Sequence, residues 1–434
     1  MKRKAFFNTF WNCTDYFTNV FLSLFITIIF VRELSLNEYG LVSYSKSLIA
    51  IALSLGAFGL KNTLIRLIPQ EENTTGKILS ESFTLLIITS TISYILLVLF
   101  SFISEDNNNF YYLLILSTSV LLNPLNVIEY NFRAYLETKY IFISKLISGI
   151  LSGILKIFIA TQGFYIEYIA AAFIFENVLW SILIIYFHVS TKKQAFSLTK
   201  IINSTILKTS SNFFIITILI ISNEKIGILL VRFLSDLNEV ALYDVSIKIY
   251  EVWSRLEILI FLSIIPFLIK LRKNSYRIYE KYFNALWLFL FIGSISLAII
   301  FTIFGKEILV LIFGSKYNDS YKTAILFGWS TIIFTLWIGQ HTFYILNYME
   351  KEIIKNLIIL IFINTILSSL LILCYGFIGA AIGGSISYLL LCLPKNFSNK
   401  NEIKLTESKK SIIMFKDFNF LIICVKKILK NIKK

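Results

Sequence analysis

The sequence is short of the residues from which most catalytic sites are built. It holds two histidines and four cysteines among 434 residues. His188 and His341 have no metal-binding partner at a usable spacing, and Cys13, Cys374, Cys392 and Cys424 form no zinc or redox motif. Three of the cysteines fall in or beside apolar runs and read as small buried side chains. No glycine-rich phosphate loop precedes a helix, so an ATPase domain is not expected in this chain. No polar stretch between apolar runs is long enough to carry a polymerase or acyltransferase site. Charge is scarce too: Asp, Glu, Lys and Arg make up 15% of the chain, against about a quarter in soluble domains. These absences set aside hydrolases and transferases and point to no catalytic residue, no metal and no cofactor.

What fills the chain instead is hydrocarbon. The composition is 57% hydrophobic, with 40 Phe and 23 Tyr, and the mean hydropathy is +0.75. Apolar stretches of about 20 residues recur from end to end, the length needed to cross a bilayer core about 30 Å thick. The chain reads as an all-α integral membrane protein. Twelve spans are expected, at 6–31, 42–60, 82–104, 110–130, 142–162, 167–188, 211–234, 240–269, 283–304, 321–345, 356–375 and 377–393. The first run is too long for a signal-peptide core and is read as a retained span.

Lys and Arg set the orientation. With the N-terminus in the cytoplasm, 30 of the 41 basic residues fall on the cytoplasmic side, and only Arg32, Lys306, Lys316 and Lys322 on the other. Both termini are therefore expected inside. The net charge of +15 is mostly this topology signal, so nucleic acid is not an expected partner. The tail, 394–434, holds 11 lysines and one apolar patch, 412–425, too short to span; an interfacial helix on anionic lipid is expected there.

One turn is written twice. Residues 31–40 read VRELSLNEYG and 231–240 read VRFLSDLNEV; both carry Leu-Asn-Glu, and they follow spans 1 and 7. The repeat unit is then six helices. Six is even, so the second copy enters the membrane with the orientation of the first, as in a parallel repeat. The expected organisation is an N-terminal six-helix lobe at 1–188, a cytoplasmic linker at 189–210, a C-terminal six-helix lobe at 211–393 and the basic tail. The two lobes are related by a pseudo-two-fold axis around a central cavity.

Charges inside spans mark the candidate site. A charged side chain near mid-bilayer costs about 2.5–3.5 kcal/mol, so such groups face a cavity or a partner. Span 8 carries Asp244, Lys248, Glu251 and Arg255, which fall on one narrow helical stripe. Their signs also suit self-paired i,i+4 contacts. Span 1 presents Asn8, Asn12, Asp15, Tyr16, Asn19 and Ser23 on one face, and span 7 carries Glu224, Lys225 and Arg232. Span 2 offers Ser43, Ser47 and Ser54, best read as helix-packing serines, with Lys46 at the edge of their face. Lys145, Lys156 and Glu176 are isolated, and Ser148-Gly149 and Ser152-Gly153 in span 5 suit close helix packing.

Several stretches resemble one known family. They are Arg-x-Leu-Ser-x-x-Glu-Tyr-Gly (Arg32 to Gly40), Ala-Leu-Tyr-Asp-x-Ser-x-Lys (Ala241 to Lys248) with Pro266 near the end of span 8, Phe-Gly-Ser-Lys-Tyr (Phe313 to Tyr317) and Gly-Phe-Ile-Gly-Ala-Ala-Ile (Gly376 to Ile382). In order and spacing over 1–393 they resemble the O-antigen and capsular polysaccharide flippases of the multidrug/oligosaccharidyl-lipid/polysaccharide exporter superfamily. The resemblance implies a flippase for undecaprenyl-diphosphate-linked oligosaccharide in the bacterial inner membrane, working by alternating access. Membrane lipids and other polysaccharide-assembly membrane proteins would be its partners. It implies that spans 1, 2, 7 and 8 line the cleft. The candidate cavity residues are then Asn12, Asp15, Asn19, Lys46, Glu224, Lys225, Arg232, Asp244, Lys248, Glu251 and Arg255. An ion-coupled exporter of small organic molecules is the alternative, but it predicts an acidic cavity, and these charges are balanced to slightly basic. A membrane-embedded glycan polymerase is a more distant one.

Overall fold

The computed structural model describes residues 2–70, 74–104, 107–191, 194–199, 203–346 and 349–392. The basic tail expected at 394–434 lies outside them. Hydrocarbon offers no partner for a free N–H or C=O, so an apolar chain must satisfy its backbone within each segment, as a helix does. The described chain is accordingly helical. The helices are α1 (Lys2–Glu33), α2 (Leu36–Ala57), α3 (Leu60–Leu67), α4 (Thr75–Ser104), α5 (Asn107–Ser117), α6 (Asn126–Ala134), α7 (Thr138–Thr161), α8 (Ile166–Ser190), α9 (Ser204–Leu234), α10 (Leu237–Asn274), α11 (Tyr276–Phe313), α12 (Tyr321–Leu346), α13 (Glu350–Tyr375) and α14 (Phe377–Cys392). Among the described residues, ten helical stretches are long and apolar enough to cross a membrane. The protein is therefore a multi-pass membrane protein. The 38-residue α10 is not among the ten, and α14, apolar but with only 16 residues, is shorter than they are.

Contacts divide the chain into two compact units, Met1–Ala241 and Leu242–Lys434. In the first unit α2 is the central helix, with two thirds of its most apolar window buried. Its serines Ser43, Ser47 and Ser54 are buried, and Ser47 donates to the Ser43 carbonyl at 2.9 Å, so they serve packing. A separate core of Leu64, Leu79, Leu86, Phe132, Ile141 and Ile184 joins α3, α4, α6, α7 and α8. The α1 helix lies on α7, where Leu22 and Ile26 approach Gly149 and Gly153 closely enough that a β-carbon would touch them at 3.4 and 3.3 Å. In the second unit Phe261, Phe283, Trp287, Phe334 and Ile338 form the core of α10, α11 and α12.

Two local features differ from the simple span reading. Pro124 lacks an N–H and its ring cannot sit in a regular α-helix, so the fourth span narrows to a 3-10 turn at Thr118–Leu125. The helix then resumes as α6 and carries Glu129 and Arg133 onward, where a loop was expected from 131. The stretch after α2 also holds a helix, α3. It is set off by Phe58 and Gly59, both left-handed at φ 44° and 68°. Gly59 sits under the Ser210 carbonyl of α9, and Phe58 stacks on Phe214 at 4.9 Å. The linker before α9 runs along α4: the Ser197 and Thr199 amides donate to Ser80 and Thr84, each at 3.1 Å, and the Asn203 amide to Glu81 at 3.1 Å.

Candidate functional site

The repeated turn is a helix start in both copies. Ser35 caps α2: its hydroxyl accepts the Glu38 amide at 3.3 Å and the Glu38 carboxylate accepts the Ser35 amide at 2.9 Å. At α10, Asp236 takes the capping place and accepts the Glu239 amide at 2.8 Å, while the Ser235 hydroxyl donates to Glu239 at 2.7 Å. Ser or Asp followed three residues later by Glu satisfies the first free amides of a helix, which is the physical reason for the shared letters. The two turns also meet. A β-carbon on Gly40 would lie 2.7 Å from the Leu237 carbonyl carbon and closer still to its oxygen. Only glycine permits that approach.

The polar face of α1 turns inward on α6 and α7 of its own unit. Asn8 accepts the Thr138 amide at 3.2 Å. The Arg133 guanidinium donates to Asn12 at 3.0 Å, lies 3.6 Å from Asp15 and is held by Glu129 at 2.7–2.8 Å. Asn19 donates to Asp15 at 2.8 Å. Lys145 reaches the other oxygen of Glu129 at 3.2 Å, and Lys61 of α3 is within electrostatic reach of all four charges. The cluster thus gathers Lys61, Arg133 and Lys145 around Asp15 and Glu129, an excess of one positive charge. Glu129 is buried, while Arg133 and Lys145 keep 17% and 28% of their side chains exposed. A cation pinned by carboxylates yet partly open can still give hydrogen bonds to an anion.

The remaining candidates fall at other places. Lys46 lies over the Phe173 ring at 4.2 Å, and Lys156, buried and paired with Glu176, approaches the same ring at 3.9 Å. The Arg232 guanidinium lies 5.7 Å from the Tyr44 ring, Glu224 is exposed on α9, and Lys225 is half-buried there. In the second unit the α10 stripe is a continuous ladder. Lys248 bonds Asp244 at 2.8 Å and lies 3.5 Å from Glu251, which lies 3.9 Å from Arg255. Asp244 is buried and Arg255 is 44% exposed, so the ladder runs from closed to open.

Sequence reasoning missed three partners and one further acid. Glu129, Arg133 and Lys61 sat in or beside an expected loop, and the signal that recovers Glu129 with Arg133 is their i,i+4 pairing just after Pro124. Glu257, one turn beyond Trp253 on α10, is fully buried. One of its oxygens accepts from the Trp253 indole at 2.8 Å, Ser294 at 3.0 Å and Thr335 at 2.5 Å, and the other has no partner among the described residues. It lies off the Asp244–Arg255 stripe.

Comparison with known proteins agrees with the fold. Residues 29–322 match the polysaccharide biosynthesis protein family. No curated protein matches the chain. Among solved structures, the lipid II flippase MurJ in an inward closed conformation superposes with a TM-score of 0.73 at 17% identity, over 97% of this chain and 96% of that one. An inward-facing multidrug resistance MATE family transporter of the MOP superfamily gives 0.65 at 14% identity, over 86% and 92%. A MOP superfamily transporter from Pyrococcus furiosus gives 0.61 at 14% identity, over 90% and 93%. With two thirds of its length matched by the family and nearly all of it folded like these structures, the chain belongs to the polysaccharide biosynthesis protein family.

Proposed function

We propose that the protein is a flippase that carries undecaprenyl-diphosphate-linked oligosaccharide from the cytoplasmic to the outer leaflet of the bacterial inner membrane, for O-antigen, capsule or exopolysaccharide synthesis. On this reading twelve helices cross the membrane, with α5 and α6 counted as one and α10 and α14 included. They form two six-helix lobes, at 1–188 and 211–393, with both termini in the cytoplasm. The family match and the likeness to the lipid II flippase MurJ support a lipid-linked glycan as cargo.

The observation that carries the reading is the cluster around Arg133. Its one-charge excess and its partly open guanidinium and ammonium groups suit a diphosphate, which takes paired N–H donors well. The α10 ladder offers a second anion-tolerant surface at Lys248 and Arg255. Asn12, Asp15, Asn19, Lys46, Glu224, Lys225, Arg232, Asp244 and Glu251 complete the proposed cavity set. On this reading the turns that touch at Gly40 and Leu237 form the external closure of an alternating-access cycle, and their close approach supports that role. Export of small organic molecules is the second reading, favoured by the multidrug-transporter fold likeness.

Proteoliposomes loaded with a fluorescent undecaprenyl-diphosphate oligosaccharide decide between them. The wild type should make the label accessible to an external quencher or glycosidase, and Arg133→Gln should reduce that rate at least about tenfold, the loss of two or more charge-assisted contacts. Equal rates in wild type, Arg133→Gln and empty liposomes would rule the reading out.

A further inference from the structure

The α3–α9 joint carries a second basic site, on the expected cytoplasmic side and separate from the Arg133 cluster. A cavity of about 310 Å³ opens there, lined by Arg66, Leu67, Gln70, Lys208, Thr209 and Asn212. That is near the lower end of ligand-sized pockets, about 300–1,000 Å³, and too small for an oligosaccharide. Two of its walls are cations. Among the described residues neither Arg66 nor Lys208 has an ion-pair partner. Two cations facing one cleft repel each other unless an anion lies between them. Gln70, Thr209 and Asn212 add neutral donors beside the charges, and Leu67 adds one apolar edge.

The floor of this cleft is firm. Gly59 is pressed under Ser210, the Ser210 and Thr63 hydroxyls meet at 3.2 Å, and Phe58 stacks on Phe214. The two cations are therefore held on elements that cannot drift apart independently. Lys208, Asn212 and Ile215 fall on one face of α9 at i, i+4 and i+7, and Ile215 is 42% exposed. A ligand with its polar head on Lys208 and Asn212 would thus meet the exposed Ile215 side chain one turn further along α9.

We propose that this cleft binds a phosphate-bearing anion, the phosphate seated between the Arg66 guanidinium and the Lys208 ammonium, and that occupancy ties α3 to α9. Arg supplies a planar pair of donors to phosphate oxygens and Lys a point charge, the usual division of labour at such sites. The exposed Ile215 beside the two cations favours an anionic phospholipid as the source of that phosphate, and free phosphate is the other source of the same chemistry.

The test uses the full-length protein in an uncharged detergent. Bound lipid is counted by native mass spectrometry, and the melting temperature is followed during titration with phosphatidylglycerol, phosphatidylcholine or inorganic phosphate. Wild type should retain one phosphatidylglycerol more than the double variant Arg66→Gln with Lys208→Gln. The apparent affinity should fall about tenfold or more in that variant, and its lipid-induced rise in melting temperature should vanish. The charge-keeping pair Arg66→Lys with Lys208→Arg should retain both effects, as should Lys351→Gln with Lys355→Gln on α13. Protection by millimolar phosphate without lipid would support the site and assign its source to the free anion. Equal phosphatidylglycerol retention and equal melting shifts in wild type and Arg66→Gln/Lys208→Gln, with no phosphate effect, would overturn the proposal.

Discussion

Gly40 is the residue whose replacement reads the contact between the two turns most directly. An alanine there would place its β-carbon 2.7 Å from the Leu237 carbonyl carbon, with the Leu237 α-carbon at 3.2 Å. Non-bonded carbons settle at about 3.5–4.0 Å, so the starts of α2 and α10 must separate by about 1 Å. The obstacle is backbone, which cannot rotate away as a side chain can. Overpacking of this kind costs about 1–3 kcal/mol, and 2 kcal/mol shifts a two-state equilibrium about 30-fold. If the contact forms only when the external mouth is shut, Gly40→Ala should depopulate that state. The assay is a disulfide between Asn37→Cys and Asn238→Cys in a background lacking the native cysteines. Asn37 lies one turn before Gly40 on α2, and Asn238 follows Leu237. Cross-linking should be rapid with Gly40, stop transport, and be reversed by reductant; it should slow at least about tenfold with Gly40→Ala. Gly384→Ala is the control, because the nearest atom to its β-carbon is the Asn364 side-chain oxygen at an ordinary 3.7 Å. An unchanged cross-linking rate in Gly40→Ala, or full transport with the disulfide formed quantitatively, would refute the reasoning.

Three further outcomes are expected. Lys248→Gln should reduce glycan export and destabilise the protein by about 1–3 kcal/mol, since Asp244 is buried at its other end, whereas Arg255→Gln should reduce export with little change in melting temperature. Rescue of export by combining Glu251→Gln with Arg255→Gln would show that this pair is only a scaffold. Glu257→Ala should lower the melting temperature more than Glu257→Gln, because alanine leaves the Trp253, Ser294 and Thr335 donors without an acceptor while Gln keeps one oxygen for them; equal losses would refute the role of that oxygen. A reporter active only in the cytoplasm should work when fused after Lys434 and stay silent after Asn108, and activity at Asn108 would overturn the orientation.

The membrane class and the helical segments were legible in the sequence because they depend on composition summed over about 20 residues, and the bilayer makes that sum decisive. The stripe on α10 was legible as well, since a helix fixes angles from spacing alone and Asp244, Lys248, Glu251 and Arg255 need no other element to line up. The repeated turn could be seen as a repeat, and its Ser or Asp and Glu positions follow from helix capping, a local requirement. What waited on tertiary structure was every pairing between elements distant in sequence. Arg133 meets Asn12 and Asp15 across more than a hundred residues, and Lys145 meets Glu129 from another helix, so no periodicity could connect them. The 3-10 turn at Pro124 moved Glu129 and Arg133 from an expected loop edge into a helix, which hydropathy cannot register because both residues look like a boundary. Glu257 escaped for a related reason: it lies off the charged stripe, and only the convergence of α10, α11 and α12 supplies the three donors that let a carboxyl lie buried in an apolar unit. Local spacing therefore determined which helices form and which faces are polar, while the long-range fold decided which of those polar groups meet, because contact depends on positions in space that one-dimensional order does not contain.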